Sequence, residues 1–252
     1  MDSFGFAVLN DQRELLLLRQ YDTSGSGLEP SFLEEACKAD QHLSAAYRNT
    51  RLAYSLGEQV LVPDRLYDPK ERATYLQFST RLPEKTEVLT DTISAFGIKL
   101  VYAAPTATDE AVRRLFPGAR VFYLGSALME GQRKMVDSGT GQSLLLHLKD
   151  QWVFVSAVEE GHLAFFNAYA YRSAKDFLYY ALLACEQSGF KPEQVPVYLS
   201  GQLMADSEIY RLLARYFKKQ QFLDPGALFS LAPELGKADP YLYFDLLSLS
   251  LL

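Results

Sequence analysis

The chain has 252 residues, of which 48% are hydrophobic and 22% are charged, and this length suits either one large domain or two of modest size. Its net charge of −6 and pI near 5.2 exclude a general affinity for nucleic acid, which requires clustered lysine and arginine. No apolar run approaches the roughly 20 residues that span a bilayer. The start of the chain lacks a signal-peptide pattern, so we expect a cytoplasmic protein.

The first half of the sequence predicts a hairpin followed by mixed helices and strands. Apolar runs at 4–9 and 14–20 flank a short polar turn at 10–13, as in a β-hairpin. The apolar spacing and the positions of proline and glycine then predict further elements. In chain order these are a helix at 31–46, strands at 51–56 and 59–62, a helix after Pro69, a strand at 98–103, a helix at 109–116, a strand at 121–124 and a helix at 127–135.

The second half has a clearer pattern. Three apolar runs at 144–148, 152–158 and 163–171 are joined by short turns, which predicts an antiparallel meander. Ser173 is placed to cap a helix that Gly189 ends. The strand Val197 to Leu199 must then run parallel to an earlier strand, because a helix crosses back to it. A second helix and a last strand at 221–223 complete the order β-β-β-α-β-α-β.

The polar, glycine-containing segment at 137–142 is the best candidate for a boundary between the halves. We therefore predict a first domain at 1–136, a connecting loop at 137–142 and a second domain at 143–252. The segment from Pro240 to Leu252 is unusually apolar, and its alternating Leu and Ser residues predict a final, covered strand that returns to the sheet of the first domain.

The strand-to-helix passage from Leu163 to Tyr180, the strand Val197 to Gly201 and the helix end at Ala214 to Phe217 resemble a known family. The family consists of bacterial proteins of uncharacterised function with an actin-like ATPase fold, and similar passages occur in actin-like components of secretion and pilus-assembly machines. The resemblance implies an α/β fold of the ribonuclease-H-like superfamily, with two βββαβαβ-type domains that face each other across a cleft. It carries little information about activity, because one fold hosts many functions.

The position of a ligand follows from the expected strand order. In an open α/β sheet, ligands bind beyond the carboxyl ends of the strands, where the strand order reverses. Asp150 should approach Ser200 and Gly201 at this point, so these three residues are the candidate ligand-binding positions. In nucleotide-binding relatives, an acid followed by glycines forms the first turn, whereas here Asp150 precedes Gln151 and Trp152. The turn at 10–13 also lacks glycine.

One motif favours the opposite interpretation. The segment from Asp137 to Gly141 has the acid, hydroxyls and glycines of an actin-type phosphate loop, with Asp137, Gly139 and Gly141 as its candidate cofactor-binding residues. Its position is a difficulty, because it precedes all three strands of the meander instead of connecting the first two. It is therefore predicted as an inter-domain loop, and the phosphate loop remains the alternative.

Other candidate side chains give weaker signals. His42, His147 and His162 are too scattered for a metal site, and His147 is expected to be a satisfied core or edge residue. We predict a non-catalytic or weakly nucleotide-binding interaction or scaffold module, with no cofactor, no metal and no nucleic-acid partner, for which a protein partner is possible. The alternative is an ATPase or phosphotransferase that uses Asp137 to Gly141 to bind Mg-ATP.

Overall fold

The computed structural model describes residues 3–23, 29–55, 58–136, 141–236 and 239–252. The chain divides into two units, which are interleaved in sequence. The first unit contains Met1–Gly5 and Gln20–Ala127, and the second contains Phe6–Arg19 and Leu128–Leu252. The predicted assignment of 1–136 and 143–252 as actin-like subdomains stays a prediction.

The chain begins with the expected hairpin of β1 (Ser3–Leu9) and β2 (Glu14–Asp22). Helix α1 (Pro30–Ala39) follows and is shorter than predicted. It ends because Asp40 takes up an extended conformation, with φ −118° and ψ 110°. The Asp40 carboxylate there accepts hydrogen bonds from the Tyr21 hydroxyl at 2.7 Å and the His42 amide at 2.9 Å.

Further along the first unit, short strands and helices alternate. In chain order these are β3 (Arg51–Tyr54), β4 (Gln59–Pro63), α2 (Arg72–Gln77), β5 (Thr86–Ile93), β6 (Ile98–Pro105), α3 (Thr106–Leu115) and β7 (Arg120–Tyr123). Helix α4 (Leu124–Met135) begins in the first unit and belongs to the second from Leu128 onwards. Strands β3 and β7 pair in parallel, and β4 and β5 flank β6 in an antiparallel sheet. Strand β5 was not predicted from the sequence, and it pairs with β6 along its whole length.

The second unit is built around one mixed sheet. Its elements are β8 (Gln142–Lys149), β9 (Trp152–Glu159), β10 (His162–Ala170), α5 (Ala174–Ser188), β11 (Pro196–Gly201), α6 (Glu208–Leu213), β12 (Lys219–Phe222), β13 (Ser230–Leu231) and α7 (Phe244–Leu249). The sheet order is β10-β9-β8-β11-β12, and β13 pairs with β2. Strands β8, β9 and β10 form the predicted antiparallel meander, and β11 runs parallel to β8 as expected. The predicted order of this half is therefore confirmed.

Helix α5 shows why this half was predictable. The Ser173 hydroxyl accepts a hydrogen bond from the Asp176 amide at 3.1 Å, which caps the helix start. Gly189 ends it in the left-handed region, with φ 71°. Phe177, Ala181 and other apolar residues on one face of α5 pack into the core against the sheet.

The prediction of a final strand is wrong, because the tail forms a 3-10 turn at Pro240–Tyr243 and then α7. Phe244, Leu247 and Leu251 are buried and recur at helical spacing, so one helix face covers more apolar surface than an alternating strand could. The Ser248 hydroxyl donates to the Phe244 carbonyl, which satisfies this polar group inside the core. The expectation that the tail is covered is confirmed.

The α7 helix packs closely because of a glycine in α4. A Cβ atom on Gly131 would lie 2.7 Å from the Phe244 ring and 2.8 Å from the Ser248 Cβ. In the described part of the chain, no helix is both long and apolar enough to cross a membrane.

Candidate functional site

The carboxyl ends of β8 and β11 meet as the sequence predicts. These strands pair in parallel with Gly201 beside Leu148, so the turn after β8 lies next to the end of β11. The Asp150 amide donates to the Gln202 side-chain oxygen at 2.7 Å, which joins the two chain segments directly. The predicted approach of Asp150 to Ser200 and Gly201 is therefore confirmed, while their use as a ligand site stays a prediction.

Gln202 takes the hydrogen bond that a ligand oxygen would take at this turn. The side-chain nitrogen of Gln202 lies 3.5 Å from the Asp150 carboxylate. The main-chain N–H of Gln202 donates a hydrogen bond to the Leu148 carbonyl at 2.9 Å. Asp150 has φ 53°, a left-handed conformation that aspartate tolerates better than most residues. Together these contacts make the turn a closed arrangement that the chain completes by itself.

Gly201 is required by the close approach of the two strands. It has φ 81°, and a Cβ atom on it would lie 2.0 Å from the Leu148 carbonyl oxygen and 2.9 Å from the His147 ring. Only glycine fits such a position. The glycine at this strand end thus has a structural reason that involves no ligand.

Ser200 faces the interior. It is fully buried, and its hydroxyl lies 2.9 Å from Nδ1 of His147. The His147 ring lies beside Phe154 and Phe244, with ring centroids 6.2 and 6.5 Å away. Burial lowers the pKa of His147 to about 4, with the charge of Asp245 opposing this shift and the charge of Lys149 adding to it. The imidazole is therefore neutral at pH 7.

His147 is a core residue, but only one of its nitrogens has a partner. Nε2 is buried and has no hydrogen-bond partner among the residues that the structure describes. The expectation that His147 is a core residue is confirmed by its burial. The expectation that its ring is hydrogen-bonded holds for Nδ1, which contacts the Ser200 hydroxyl.

A buried ion pair lies next to His147. The Lys149 amine is 2.7 Å from the Asp245 carboxylate, and the two side chains are only 15% and 8% exposed. Burial opposes the charge on Lys149, yet Asp245 outweighs it, so the pKa of Lys149 is raised. Burial likewise acts to raise the pKa of Asp245, but Lys149 and His147 hold it below its usual value. Both groups are therefore charged, and α7 is tied to the end of β8.

The turn between β1 and β2 is closed in a similar way. The Asn10 side-chain oxygen accepts from the Gln12 amide at 3.0 Å and the Glu14 amide at 2.9 Å. Its side-chain nitrogen donates to the Glu14 carboxylate at 2.8 Å. Main-chain N–H groups that could hold a phosphate are here occupied by an asparagine of the same turn.

Of the three candidate residues in the alternative phosphate loop, Gly141 is the one in the described part of the chain. Asp137 and Gly139 lie outside the described residues, and so does the greater part of the segment. Gly141 is described, and its carbonyl accepts a hydrogen bond from the Glu160 amide at 2.9 Å. Its role in binding a phosphate stays a prediction. Across the described ranges, no three His, Cys, Asp or Glu side chains gather into a group that could hold a metal ion.

Sequence reasoning located the strand ends but missed two of the side chains that act there. Gln202 and Asp245 lie 52 and 96 residues away from Asp150 and Lys149, their respective partners. Gln202 directly follows the predicted Ser200 and Gly201, which was the available signal. The sequence contained no such signal for Asp245, because the C-terminal segment that contains it was predicted to form a strand.

Comparison with known proteins identifies the fold. A family model described as "Protein of unknown function (DUF3822)" matches residues 1–219. A crystal structure from Bacteroides thetaiotaomicron VPI-5482, described as a protein with actin-like ATPase fold and unknown function, superposes with a TM-score of 0.81 at 17% identity, over 98% of this chain and 91% of that one.

A second solved structure is the PilM-PilN type IV pilus biogenesis complex. It superposes with a TM-score of 0.63 at 13% identity, over 99% of this chain and 95% of that one. No curated protein matches the sequence. The fold is therefore the actin-like ATPase fold, as the sequence resemblance implied.

Proposed function

Since the chain belongs to the family of proteins of unknown function DUF3822 and has the actin-like ATPase fold, we propose that it is a non-catalytic or weakly nucleotide-binding interaction module. Its role would be to hold a protein partner or to act as a scaffold.

The main support comes from the two hairpin turns of the second unit. In this fold such turns can present main-chain N–H groups to phosphates. Here the amide of Asp150 donates to Gln202, and the amides of Gln12 and Glu14 donate to Asn10. A phosphate would have to displace these internal acceptors and would gain little for doing so, because each amide already has a partner.

The proposal of a protein partner is supported by one structural neighbour. That neighbour was solved as a complex of PilM with PilN, so a protein of this fold can carry a protein partner. The identity is 13%, and the comparison supports the class of partner without naming one for this chain.

Calorimetric titration with Mg-ATP tests the proposal. We expect either no heat of binding from the full chain or weak binding, with a Kd on the order of millimolar. Two variants define the alternative: Asp137→Ala removes the acid of the possible phosphate loop, and Asp206→Ala changes an exposed aspartate elsewhere as a control. Tight ATP binding that Asp137→Ala abolishes and Asp206→Ala retains would defeat the proposal and establish the nucleotide-binding alternative.

A further inference from the structure

A carboxylate is buried in the first unit, on one face of the antiparallel sheet. Asp91 lies in β5 opposite Leu100 of β6, and only 6% of it is exposed. Leu76 of α2 packs with Val101 on the other face, because successive residues of a strand point to opposite faces. Asp91 is therefore enclosed on the side away from α2, where an ionised group is unfavourable unless its charge is compensated.

Uncharged donors of the described chain surround the Asp91 carboxylate. The Tyr123 amide donates at 2.7 Å and the Ser126 hydroxyl at 2.6 Å, where β7 passes into α4. The Tyr102 hydroxyl of β6 also forms a hydrogen bond with it. The positive charge of Arg120 acts on it from the start of β7, but Arg120 is exposed, and solvent weakens its effect.

Burial is the largest influence on this carboxyl group. It raises the pKa of Asp91 to about 6, against the effect of the hydrogen-bond donors and of Arg120. Burial also raises the pKa of Tyr102, with further contributions from Asp91, Tyr54 and Asp109. Tyr102 therefore stays a neutral donor, and Asp91 titrates near neutral pH.

The hydrogen-bond pattern allows Asp91 to take up a proton without losing its contacts to α4. The bonds from Tyr123 and Ser126 both end on the same oxygen, Oδ2. A proton bound at Oδ1 leaves both bonds in place, so the start of α4 stays attached to β5. Proton uptake thus removes the buried charge and retains the structure around it.

We propose that Asp91 is a proton-binding site that makes the stability of the first unit sensitive to pH between about 5 and 7. At the lower pH the buried carboxyl group is neutral, and at the higher pH it carries a negative charge that weakens the fold. His147 in the second unit acts in the opposite direction, because burial lowers its pKa. The site lies outside the strand ends at Asp150 and Ser200 and does not depend on the proposed function.

The direction of the effect follows from the two states of the chain. The pKa of Asp91 is higher in the folded protein than its ordinary value of 3.8, so the stabilising effect is complete below pH 3.8 and is lost as the pH rises through 6. Between pH 5 and pH 7, ionisation of Asp91 should raise the unfolding constant of the first unit about tenfold.

The carboxyl carbon of Asp91 reports its own proton, so an NMR titration tests the site directly. The full chain is labelled with 13C-aspartate and followed from about pH 5 to about pH 8. Loss of the signal in Asp91→Asn identifies it, and correlation through the bonds from the Asp91 Cα identifies it in the wild type if that variant does not fold.

We expect a midpoint near pH 6 for Asp91. The Asp176 carboxylate is the control, because the Arg172 amide holds its pKa below the usual value, and it should stay ionised throughout. An Asp91 signal that is also constant over this range would overturn the proposal.

Variants assign the midpoint to the cluster. Ser126→Ala, Tyr102→Phe and Arg120→Gln each remove a group that favours the ionised form, so each should raise the midpoint by roughly 0.5 pH unit or more. Ser94→Ala, at an exposed serine of the same unit, should leave it unchanged. A midpoint that none of the first three substitutions moves would contradict the assignment.

Hydrogen exchange of the β6 amides measures the consequence for the first unit. After correction for the intrinsic pH dependence of exchange, the opening constant of these amides should rise about tenfold from pH 5 to pH 7 in the wild type. Asp91→Asn keeps the shape of the side chain and an oxygen for the same donors, and it should show no such rise. The same rise in both proteins would refute the role of Asp91.

Discussion

Replacement of Asp245 by asparagine should weaken the second unit severely. The change keeps the shape of the side chain but leaves the Lys149 ammonium, 2.7 Å away and 15% exposed, without its counter-charge. Loss of one partner from a buried ion pair costs about 3–5 kcal/mol of unfolding free energy. With a urea m-value of about 2 kcal/mol/M, the unfolding midpoint should fall by about 1.5–2.5 M.

The single tryptophan makes this measurable. Trp152 lies beside Lys149 in the β8–β9 ladder, so its fluorescence reports on the second unit. Urea titrations of wild type and Asp245→Asn give the shift. Lys218→Met, at an exposed lysine whose amine donates to the Ala214 and Arg215 carbonyls, serves as control and should change the unfolding free energy by less than about 0.5 kcal/mol.

A double variant separates charge from packing. Lys149→Met with Asp245→Leu removes both charges, and we expect its stability to return to within about 1 kcal/mol of wild type, because an apolar pair of similar size can replace a buried ion pair. The reasoning is refuted if Asp245→Asn lowers the unfolding midpoint by less than about 0.5 M, a shift comparable to the experimental error of the midpoint. It is also refuted if the double variant is as unstable as Asp245→Asn, since the loss would then come from packing.

Two further predictions concern the same region. Gly201→Ala should reduce the unfolding free energy by about 3 kcal/mol, because the new Cβ would lie 2.0 Å from the Leu148 carbonyl oxygen. Gly189 also has a positive φ, but among the described residues a Cβ there would meet no atom within 4 Å beyond its chain neighbours, so Gly189→Ala should cost only about 1 kcal/mol. Equal losses of Tm in the two variants would contradict this. His147 has a folded-state pKa of about 4, below its unfolded value of about 6.5, so its stabilising effect is complete above pH 6.5 and is lost as the pH falls towards 4. His147→Gln should therefore flatten the decline of the Trp152-detected midpoint between pH 6.5 and 4, and a decline as steep as in His162→Gln, an exposed control, would count against the assignment.

The sequence allowed the second half of the fold to be predicted because its signals agree with one another. The meander strands are continuous apolar runs with short turns, and Ser173 and Gly189 bound the helix that follows. The prediction for the segment from Pro240 to Leu252 was wrong because its sequence fits both a strand period and a helix period. Its Leu-Ser alternation matches a strand, but Phe244, Leu247 and Leu251 also match a helix. In the structure the segment is helical, and Phe244 and Ser248 pack against Gly131.

The approach of the two strand ends was predictable from the sequence, but the contacts that close them were not. The rule for open α/β sheets is enough to bring Asp150 to Ser200 and Gly201. It says nothing of the side chains that close the turns, because the hydrogen bond from Asp150 to Gln202 and the ion pair from Lys149 to Asp245 join distant parts of the chain. Local sequence patterns do not predict contacts between residues that are this far apart in the chain.

The interleaving of the two units has a consequence for synthesis on the ribosome. Strand β2 leaves the exit tunnel early, yet its partner β13 follows most of the chain later, with Ser230 beside Glu14. Helix α7, which supplies the partner of Lys149, comes later still. The first unit can therefore begin to fold during translation, whereas the second must wait for the last part of the chain. A stalled ribosome would carry a half-made sheet with open edges, a form that chaperones recognise.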